Sequence, residues 1–284
     1  MPSQSSQPSN RELLIRAVDA LPPLPAVALK VMQVAQDPKS SASDLALVVS
    51  ADPGLSARIL RIVNSAAYRR TVEVTSVQQA LVVLGFVQAR NIAISSAITG
   101  GYVPDSLNAL FRISAFWRHS LAVGFRASDL AGRNRRLDVP SAFTAGILHN
   151  MGRLAMFYAD PAGVDQAVAR AIGDDRSLED VEHEMLGYDH AEVGGLLAEK
   201  WKLPAEIREA IANHHNGGGS DSTLAGVVAA ADAFCMTHGI FPGYIIPTRV
   251  TPVSDLPDEV ARLIRQVDTL MELVGGQTVG AHLV

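Results

Sequence analysis

Six polar side chains suited to metal coordination occur in otherwise apolar helical segments of the sequence. They are His119, His149, His190, His214, His215 and Asp232. Burying an imidazole or a carboxylate costs free energy unless the group finds a partner, so these side chains are expected to converge on one another or on an ion. Imidazoles and a few carboxylates delivered by several helices form a ligand set for zinc, manganese or iron. The sequence therefore predicts a buried centre that binds a divalent metal, with mutually hydrogen-bonded histidines as the alternative.

Helices must position these side chains, because apolar residues recur with a 3.6-residue period. The alternation of apolar and polar residues that is typical of β-strands is almost absent. The fold class predicted is all-α, a multi-helix bundle. Asp52 is expected to cap one early helix with Pro53 at its first position, and Ser43 or Asp44 to cap the helix before it. The later helices are predicted over Leu107–Leu130, Ser141–Tyr158, Pro161–Ile172, Ser177–Leu186, Asp189–Trp201, Leu203–His215, Thr223–His238 and Asp258–Leu273.

Composition shifts divide the chain into four parts. Residues 1–11 are rich in Ser, Gln and Pro and are predicted to be a disordered tail. Residues 12–100 form a first helical lobe, with a boundary at Tyr102–Asp105, and residues 105–240 form a second helical half. Residues 241–284 contain a proline-rich connector followed by the last predicted helix.

Composition also limits the classes of partner. The chain has 284 residues, a net charge of -5 and 19% charged residues, so a general search for nucleic acid or an anionic membrane is not favoured. Cys235 is the only cysteine, in an apolar run that predicts a buried thiol, and no disulfide can form within the chain. No apolar run reaches the ~20 residues needed to span a bilayer. A cytoplasmic location without membrane contact is predicted.

The order of the polar residues, H…HN…H…HH…D, resembles the H…HD…H…HH…D pattern of the HD phosphohydrolase superfamily. Three N-terminal stretches narrow the resemblance to the HDOD domain, the HD-related output domain of bacterial signalling proteins. They are LPPLPAVALKVMQVAQDP, DLALVVSADPGLSARILRIVNSAAY and VTSVQQALVVLGFVQARNIAIS, and the match continues through WRHSLAVGF, AFTAGILHNMGRL and DHAEVGGLLAEKWKLPAEIREAIANHH. The resemblance covers about residues 12–240. It implies a helical regulatory domain with degenerate catalytic residues and effects on gene expression, motility or second-messenger signalling.

The resemblance also implies a role for each polar residue. His119, His149 and Asp232 match the ligands of a first metal. His190 and His214 match those of a second metal, with His215 as a further candidate. Arg153 matches a basic position that could meet a phosphate oxygen. Asn150 stands where the family carries an aspartate that bridges the two metals.

An amide at position 150 changes the chemistry that is expected. A bridging carboxylate offers an oxygen to each ion and offsets their repulsion, which for two dications ~4 Å apart is on the order of 16 kcal/mol at an effective dielectric constant of 20. Without that charge the binuclear centre should be weak, whereas His119, His149 and Asp232 still suit one ion, to which Asn150 could add a neutral carbonyl oxygen. Two-metal hydrolysis needs both ions. The sequence therefore predicts one metal of iron, manganese or zinc, and no efficient phosphodiester hydrolysis.

Four functions are compatible with these residues. The first is a regulatory module that binds one or more signalling proteins through residues 12–100, as a monomer or a homodimer. The alternative is a metal-dependent phosphohydrolase or phosphodiesterase acting on a nucleotide or cyclic dinucleotide. A pocket formed by Arg118, Arg153 and the histidines could instead bind a nucleotide without hydrolysis. DNA binding by a helix-turn-helix at residues 76–97 is disfavoured, because both helices look like core and few cations lie nearby.

Overall fold

The computed structural model describes residues 10–65, 68, 73–99, 111–216, 222–243 and 257–274. Over these residues the chain forms fifteen α-helices and no β-strand, which confirms the predicted all-α class. The helices are α1 (Asn10–Ala20), α2 (Ala26–Gln36), α3 (Ala42–Ser50), α4 (Pro53–Val63), α5 (Val77–Leu84), α6 (Phe86–Thr99), α7 (Ile113–Gly132), α8 (Val139–Leu148), α9 (Met151–Ala159), α10 (Pro161–Gly173), α11 (Leu178–Leu186), α12 (His190–Lys200), α13 (Ala205–Ala212), α14 (Leu224–Thr237) and α15 (Asp258–Val274).

Side-chain caps explain where several helices begin. The Asp52 carboxylate accepts a hydrogen bond from the Leu55 amide, and Pro53 occupies the first turn of α4, as predicted. The cap of α3 is Ser41, so the prediction of Ser43 or Asp44 was wrong. Asp44 instead takes the reciprocal position of a capping box, accepting from the Ser41 amide while its own amide donates to the Ser41 hydroxyl.

The first lobe packs its helices around α6. Residues Ala89–Thr99 of α6 are all buried, including Arg90 and Asn91. Helices α5 and α6 meet at 120° across Gly85, whose φ of 75° suits a residue without a side chain. This pair has the outline of a helix-turn-helix, but the second helix has no exposed side chains over Ala89–Thr99 to place in a DNA groove.

Among the described residues, no single helix is long and apolar enough to cross a membrane. The bent pair α5 and α6 meets the length and composition criteria when the two are taken together. Most of α6 lies inside the protein.

Glycines let two pairs of helices in the second half approach closely. A Cβ atom on Gly146 of α8 would lie 2.7 Å from Gly124 Cα of α7. A Cβ atom on Gly152 of α9 would lie only 2.0 Å from the His190 carbonyl oxygen at the start of α12. The backbones of α7 and α8, and of α9 and α12, therefore pack at distances that side chains would prevent.

The structure corrects the prediction of one helix over Ser141–Tyr158. That segment divides into α8 and α9, with His149 and Asn150 at the junction. Asn150 adopts φ −97° and ψ 9°, outside the helical values, and its side chain does not cap α9. The break turns the chain at the point where two candidate site residues lie.

Other predicted boundaries shift by a few residues. Helix α7 begins at Ile113 within the described range, and α13 ends at Ala212, so His214 and His215 lie in the turn that follows it. Helix α1 begins at Asn10, inside the segment predicted as a tail. Residues 1–9, the predicted boundary at Tyr102–Asp105 and residues 244–256 of the predicted connector at 241–257 lie outside the described residues.

Helix α15 folds back onto the rest of the protein. It packs against α7 in the second half and against α4 and α6 in the first lobe. Asp268 accepts two hydrogen bonds from the Arg118 guanidinium, at 2.7 and 3.1 Å. Arg118, which the sequence suggested for a phosphate pocket, is therefore bound to α15. A continuous hydrophobic core contains side chains from α1 through α15, and a small separate cluster of Ala167, Ala171 and Val181 lies between α10 and α11.

Candidate metal centre

The first group of predicted ligands meets between α7, the α8–α9 junction and α14. The side-chain nitrogen His119 Nε2 lies 3.4 Å from His149 Nε2 and 3.1 Å from Asp232 Oδ1. His149 Nε2 lies 3.9 Å from the same carboxylate oxygen. Both histidines are fully buried, while the Asp232 side chain is 19% exposed. The structure thus brings together the three residues that the sequence assigned to one metal.

Backbone carbonyl groups orient the two imidazoles. His119 Nδ1 lies 2.6 Å from the Ile240 carbonyl oxygen, and His149 Nδ1 lies 2.7 Å from that of Gly146. A carbonyl oxygen only accepts hydrogen bonds, so each Nδ1 carries the proton and donates it. In its neutral form each ring therefore presents the lone pair of Nε2 to the other ring and to Asp232. A backbone acceptor on one ring nitrogen commonly fixes the other nitrogen as a metal ligand.

The spacing of these atoms suits a single ion. Two ligand atoms on one tetrahedral ion with bonds of about 2.0–2.1 Å lie about 3.3 Å apart. The separations of 3.1 and 3.4 Å agree with that value, and the separation of 3.9 Å is somewhat longer. With two imidazoles and one carboxylate, the chemistry of the donor set suits zinc, manganese or iron. His119, His149 and Asp232 therefore fit a divalent metal.

The second group of predicted ligands, His190, His214 and His215, lies beside the first. The ring centres of His149 and His214 are 5.0 Å apart, and those of His214 and His215 are 3.9 Å apart. His190 Nε2 and His215 Nε2 are 2.8 Å apart. His214 Nδ1 donates to the Ile211 carbonyl oxygen at 2.7 Å. All six side chains predicted from the sequence thus converge in one place.

A buried chain of three side chains runs through the second group. His190 Nδ1 lies 2.5 Å from Glu182 Oε2, and the His190 backbone amide also donates to that oxygen at 3.0 Å. On the other side of the ring, Arg153 Nη2 lies 3.0 Å from His190 Nε2. Because a guanidinium only donates, His190 Nε2 is the acceptor and His190 Nδ1 carries the proton. Arg153 is 6% exposed and is directed at a predicted metal ligand.

Burial keeps four of the imidazoles neutral. Removal from water lowers the pKa of His149, His190 and His214 well below 6.5, and it lowers the pKa of His215 to about 2. The positive charge of Arg153 lowers the pKa of His190 further. Neutral imidazoles are the form that binds metals.

Burial has the opposite effect on Glu182. It raises the pKa of this carboxyl to about 7, although Arg153 and the His190 amide act in the other direction.

Five buried polar atoms at the centre lack a hydrogen-bond partner within the described part of the chain. They are Asn150 Oδ1, Arg153 Nε, Glu182 Oε1, His214 Nε2 and Asp232 Oδ1. An unpaired polar atom in the interior costs free energy, so such atoms at a ligand cluster support the presence of an ion or a bound molecule. The Asn150 oxygen is neutral, as the sequence indicated, and could contribute a carbonyl ligand.

The second group opens to solvent through a cavity of about 380 Å³. His215, whose side chain is 20% exposed, lines it. Four carboxylates also line the cavity, together with one arginine, Arg176. The carboxylates are Glu179, Asp180, Glu184 and Asp189.

Glu182 was not predicted from the sequence, and Arg153 was assigned a different contact. Glu182 follows a buried valine in α11, and the residues four before and four after it are Leu178 and Leu186. The sequence signal that could have identified Glu182 was an acidic residue between two leucines on the apolar face of a helix. Arg153 was singled out as a basic residue for a phosphate, and its contact with His190 depends on the close approach of α9 and α12.

The chain is similar to two solved structures over most of its length. A provisionally assigned phosphohydrolase from Shewanella amazonensis is 30% identical, with a TM-score of 0.65 over 92% of this chain and 91% of that one. An HDOD domain protein of unknown function from Geobacter sulfurreducens is 25% identical, with a TM-score of 0.68 over 94% and 90% of the two chains.

Curated relatives match over a smaller share of their length. Ribonuclease Y of Acholeplasma laidlawii is 31% identical over 119 residues, which are 41% of this chain and 17% of the relative. An uncharacterized protein of Treponema pallidum is 25% identical over 202 residues, and the chain spans 38% of its length. The family model described as HDOD domain matches residues 21–217, well over half of the sequence. The chain therefore belongs to the HDOD domain family.

Proposed function

We propose that the protein is a regulatory signalling module that binds one divalent metal through His119, His149 and Asp232 and acts by contacting other proteins. Its metal centre holds or senses an ion and does not turn over phosphodiesters efficiently. Asn150 carries this proposal. The side chain is buried at the centre and neutral, at the position where a second carboxylate would be needed to hold two ions.

The charge at the centre supports one ion over two. The predicted ligands form two groups of three described residues. Among these six side chains one is a carboxylate, Asp232, and it belongs to the first group. The second group consists of three imidazoles, with the Arg153 guanidinium in contact with one of them. Two adjacent dications repel by an amount on the order of 16 kcal/mol at an effective dielectric constant of 20, and one carboxylate offsets only part of it.

The cavity beside the second group also argues against an anionic substrate. Its four carboxylates outnumber the single arginine that lines it, and Arg176 already donates to Glu184 at 2.6 Å. A nucleotide or cyclic dinucleotide would bring its negative charge toward these groups. Like charges at the entrance lower both the affinity and the rate of approach of such a ligand.

Exposed apolar side chains on the first lobe support a protein-binding role. Leu47 of α3 is 69% exposed, Val82 of α5 is 85% exposed and Val87 of α6 is 55% exposed. These three helices pack against one another. Apolar groups left in water on one lobe are suited to a protein partner, either a signalling protein or a second copy of the chain.

A metal-dependent phosphohydrolase is the second candidate. Its support is the ligand geometry of the first group and the similarity to the provisionally assigned phosphohydrolase from Shewanella amazonensis. A metal there would polarise a phosphoryl oxygen or a bound water when present. The substrate would be a phosphodiester that tolerates the acidic cavity.

One experiment separates the two candidates. Untagged wild type and Asn150→Asp are stripped with a chelator and reloaded with Mn²⁺. Their metal content is then measured beside hydrolysis of a generic phosphodiester. The regulatory proposal expects about one Mn²⁺ per wild-type chain and no hydrolysis above the metal-free control. Metal well below one equivalent after reloading contradicts the metal centre, and wild-type turnover that His149→Ala abolishes supports the hydrolase.

The protein-binding part is tested separately. Val82→Glu places a charge on the exposed surface of α5, a helix that contains none of the candidate ligands. Co-purification of partners and the solution mass of the protein are compared for the variant and wild type. A partner or dimer that survives both Val82→Glu and Leu47→Glu would contradict the role assigned to the first lobe.

A further inference from the structure

Arg153 occupies a position in the centre that has the chemistry of a metal site. In many metalloproteins a carboxylate accepts the Nδ1 proton of a histidine whose Nε2 binds the metal. Here Glu182 accepts from His190 Nδ1, and Arg153 Nη2 donates to His190 Nε2 at 3.0 Å. The order of groups is therefore that of such a metal site, carboxylate, imidazole and cation, but the cation is the Arg153 guanidinium.

We infer that Arg153 takes the place of a second metal ion, so that the His190, His214 and His215 group is closed to metals and the centre holds one ion only. This inference rests on the proposed one-metal function, and it assigns the loss of the second ion to two residues instead of to Asn150 alone. Restoring an aspartate at position 150 is then insufficient to restore a binuclear centre.

The lone pair of His190 supplies the first argument. A neutral imidazole has one acceptor nitrogen, and that nitrogen can bind a metal or accept a hydrogen bond, but it cannot do both. In the structure His190 Nε2 accepts from Arg153. His215 Nε2 lies 2.8 Å from His190 Nε2. This distance is shorter than the separation of about 3.3 Å between two ligand atoms on one tetrahedral ion.

Charge supplies the second argument. The three side chains of this group are imidazoles, and the buried Glu182 lies on the far side of the His190 ring. Glu179 lies 3.8 Å from His215 Nδ1, which is the ring nitrogen that does not face His190. A dication placed among the imidazoles would therefore face the Arg153 charge without a carboxylate bound to it. The first group, in contrast, contains Asp232.

Packing supplies the third argument, because it holds Arg153 in place. The preceding residue, Gly152, abuts the His190 backbone so closely that a Cβ atom would lie 2.0 Å from the His190 carbonyl oxygen. Arg153 is 6% exposed, so its side chain has no route to solvent comparable with that of a surface arginine. The guanidinium is therefore a built part of the centre.

The test counts ions in the full-length protein with Mn²⁺ alone as the probe. Wild type, Asn150→Asp, Asn150→Asp/Arg153→Met and Asn150→Asp/Arg170→Gln are stripped, reloaded and analysed by elemental analysis. Electron paramagnetic resonance then distinguishes isolated Mn²⁺ from a coupled pair. Methionine fills part of the space of the arginine side chain with an unbranched apolar chain and removes the charge. Arg170 is the matched control, an arginine of α10 that pairs with Glu184 and Asp174.

The expected counts are one Mn²⁺ in wild type, in Asn150→Asp and in the Arg170 control, and two coupled Mn²⁺ in Asn150→Asp/Arg153→Met. Two ions in Asn150→Asp alone would overturn the inference, because the arginine would then not exclude the second metal. A double variant that binds no more metal than Asn150→Asp would also overturn it. If wild type binds one ion and the double variant does not gain another, only the role of Arg153 fails. If no variant binds Mn²⁺, the one-metal proposal fails as well.

A measurement on wild type covers the case in which the double variant does not fold. Crystals soaked in excess Mn²⁺ are examined by anomalous diffraction. The expected peak lies among His119, His149 and Asp232, with Arg153 still bonded to His190. A peak coordinated by His190, with the guanidinium displaced, would overturn the inference without any substitution.

Discussion

Acidification should destabilise the metal-free protein, because its buried imidazoles resist protonation. Burial holds the pKa values of His149, His190 and His214 well below 6.5 in the folded state, and that of His215 at about 2. The unfolded chain takes up these four protons as the pH falls through about 6.5, whereas the folded chain does not. Since the unfolded state then binds more protons, its free energy falls relative to that of the folded state.

The magnitude follows from the proton balance. Between pH 7 and pH 5.5, protonation stabilises each unfolded imidazole by about 1.2 kcal/mol, so the four contribute about 5 kcal/mol to unfolding. Glu182 opposes them, because its folded pKa of about 7 exceeds the ordinary value of 4.5 and the folded state takes up its proton over the same interval. That uptake returns about 2 kcal/mol. The net loss from these five groups is about 3 kcal/mol, a large share of the 5–15 kcal/mol that stabilises a typical domain.

Urea unfolding of chelator-treated protein at several pH values between 5.5 and 7 measures this loss. Glu182→Gln removes the opposing carboxyl group and should increase the loss over the same interval to about 5 kcal/mol. A free energy of unfolding that stays constant or rises as the pH falls would refute the reasoning, because the imidazoles would then be protonated in the folded state.

Three substitutions test other parts of the structure. Gly152→Ala should cost about 3 kcal/mol in urea unfolding, because its Cβ would lie 2.0 Å from the His190 carbonyl oxygen, whereas Gly173→Ala, with no heavy atom within 4 Å, should change stability by less than about 1 kcal/mol. Equal effects of the two changes would contradict the close approach of α9 and α12. Asp232→Asn should weaken Mn²⁺ binding at least ~100-fold in calorimetric titration, since it removes the carboxylate of the first ligand group, and unchanged affinity would exclude that group as the site. Asp52→Ala should cost about 1 kcal/mol through loss of the cap of α4, and a cost near zero would mean that the Leu55 amide finds another partner.

The sequence predicted the helical class and the convergence of the candidate ligands for one physical reason. A histidine or aspartate inside an apolar helix is buried together with that helix, and burial is tolerated only with a partner. His149 and Asp232 are 83 residues apart in the chain, yet each had few other polar groups in apolar helices with which to pair. Local signals were similarly sufficient for Asp52, whose cap depends on its own first turn.

Features that depend on distant parts of the chain could not be predicted in this way. The break between α8 and α9 was missed because His149 and Asn150 are tolerated in a helix, and the turn there depends on packing against α12. The pairing of Arg118 with Asp268 joins residues 150 positions apart, and no periodicity encodes it. The contact of Arg153 with His190 is of the same kind.

The position of α15 has a thermodynamic consequence. This helix rests on α4 and α6 of the first lobe, and through Asp268 it holds the arginine that immediately precedes the candidate ligand His119. Release of α15 breaks a contact of Arg118, and occupancy of the centre involves the adjacent residue His119. The two equilibria thus act on neighbouring residues. Coupling between such equilibria is reciprocal. If a partner protein that displaces α15 changes the affinity for the metal by some factor, the metal changes the affinity for that partner by the same factor. The ratio of Mn²⁺ affinities in Arg118→Gln and wild type measures that factor, and a ratio of one would make the helix and the centre independent.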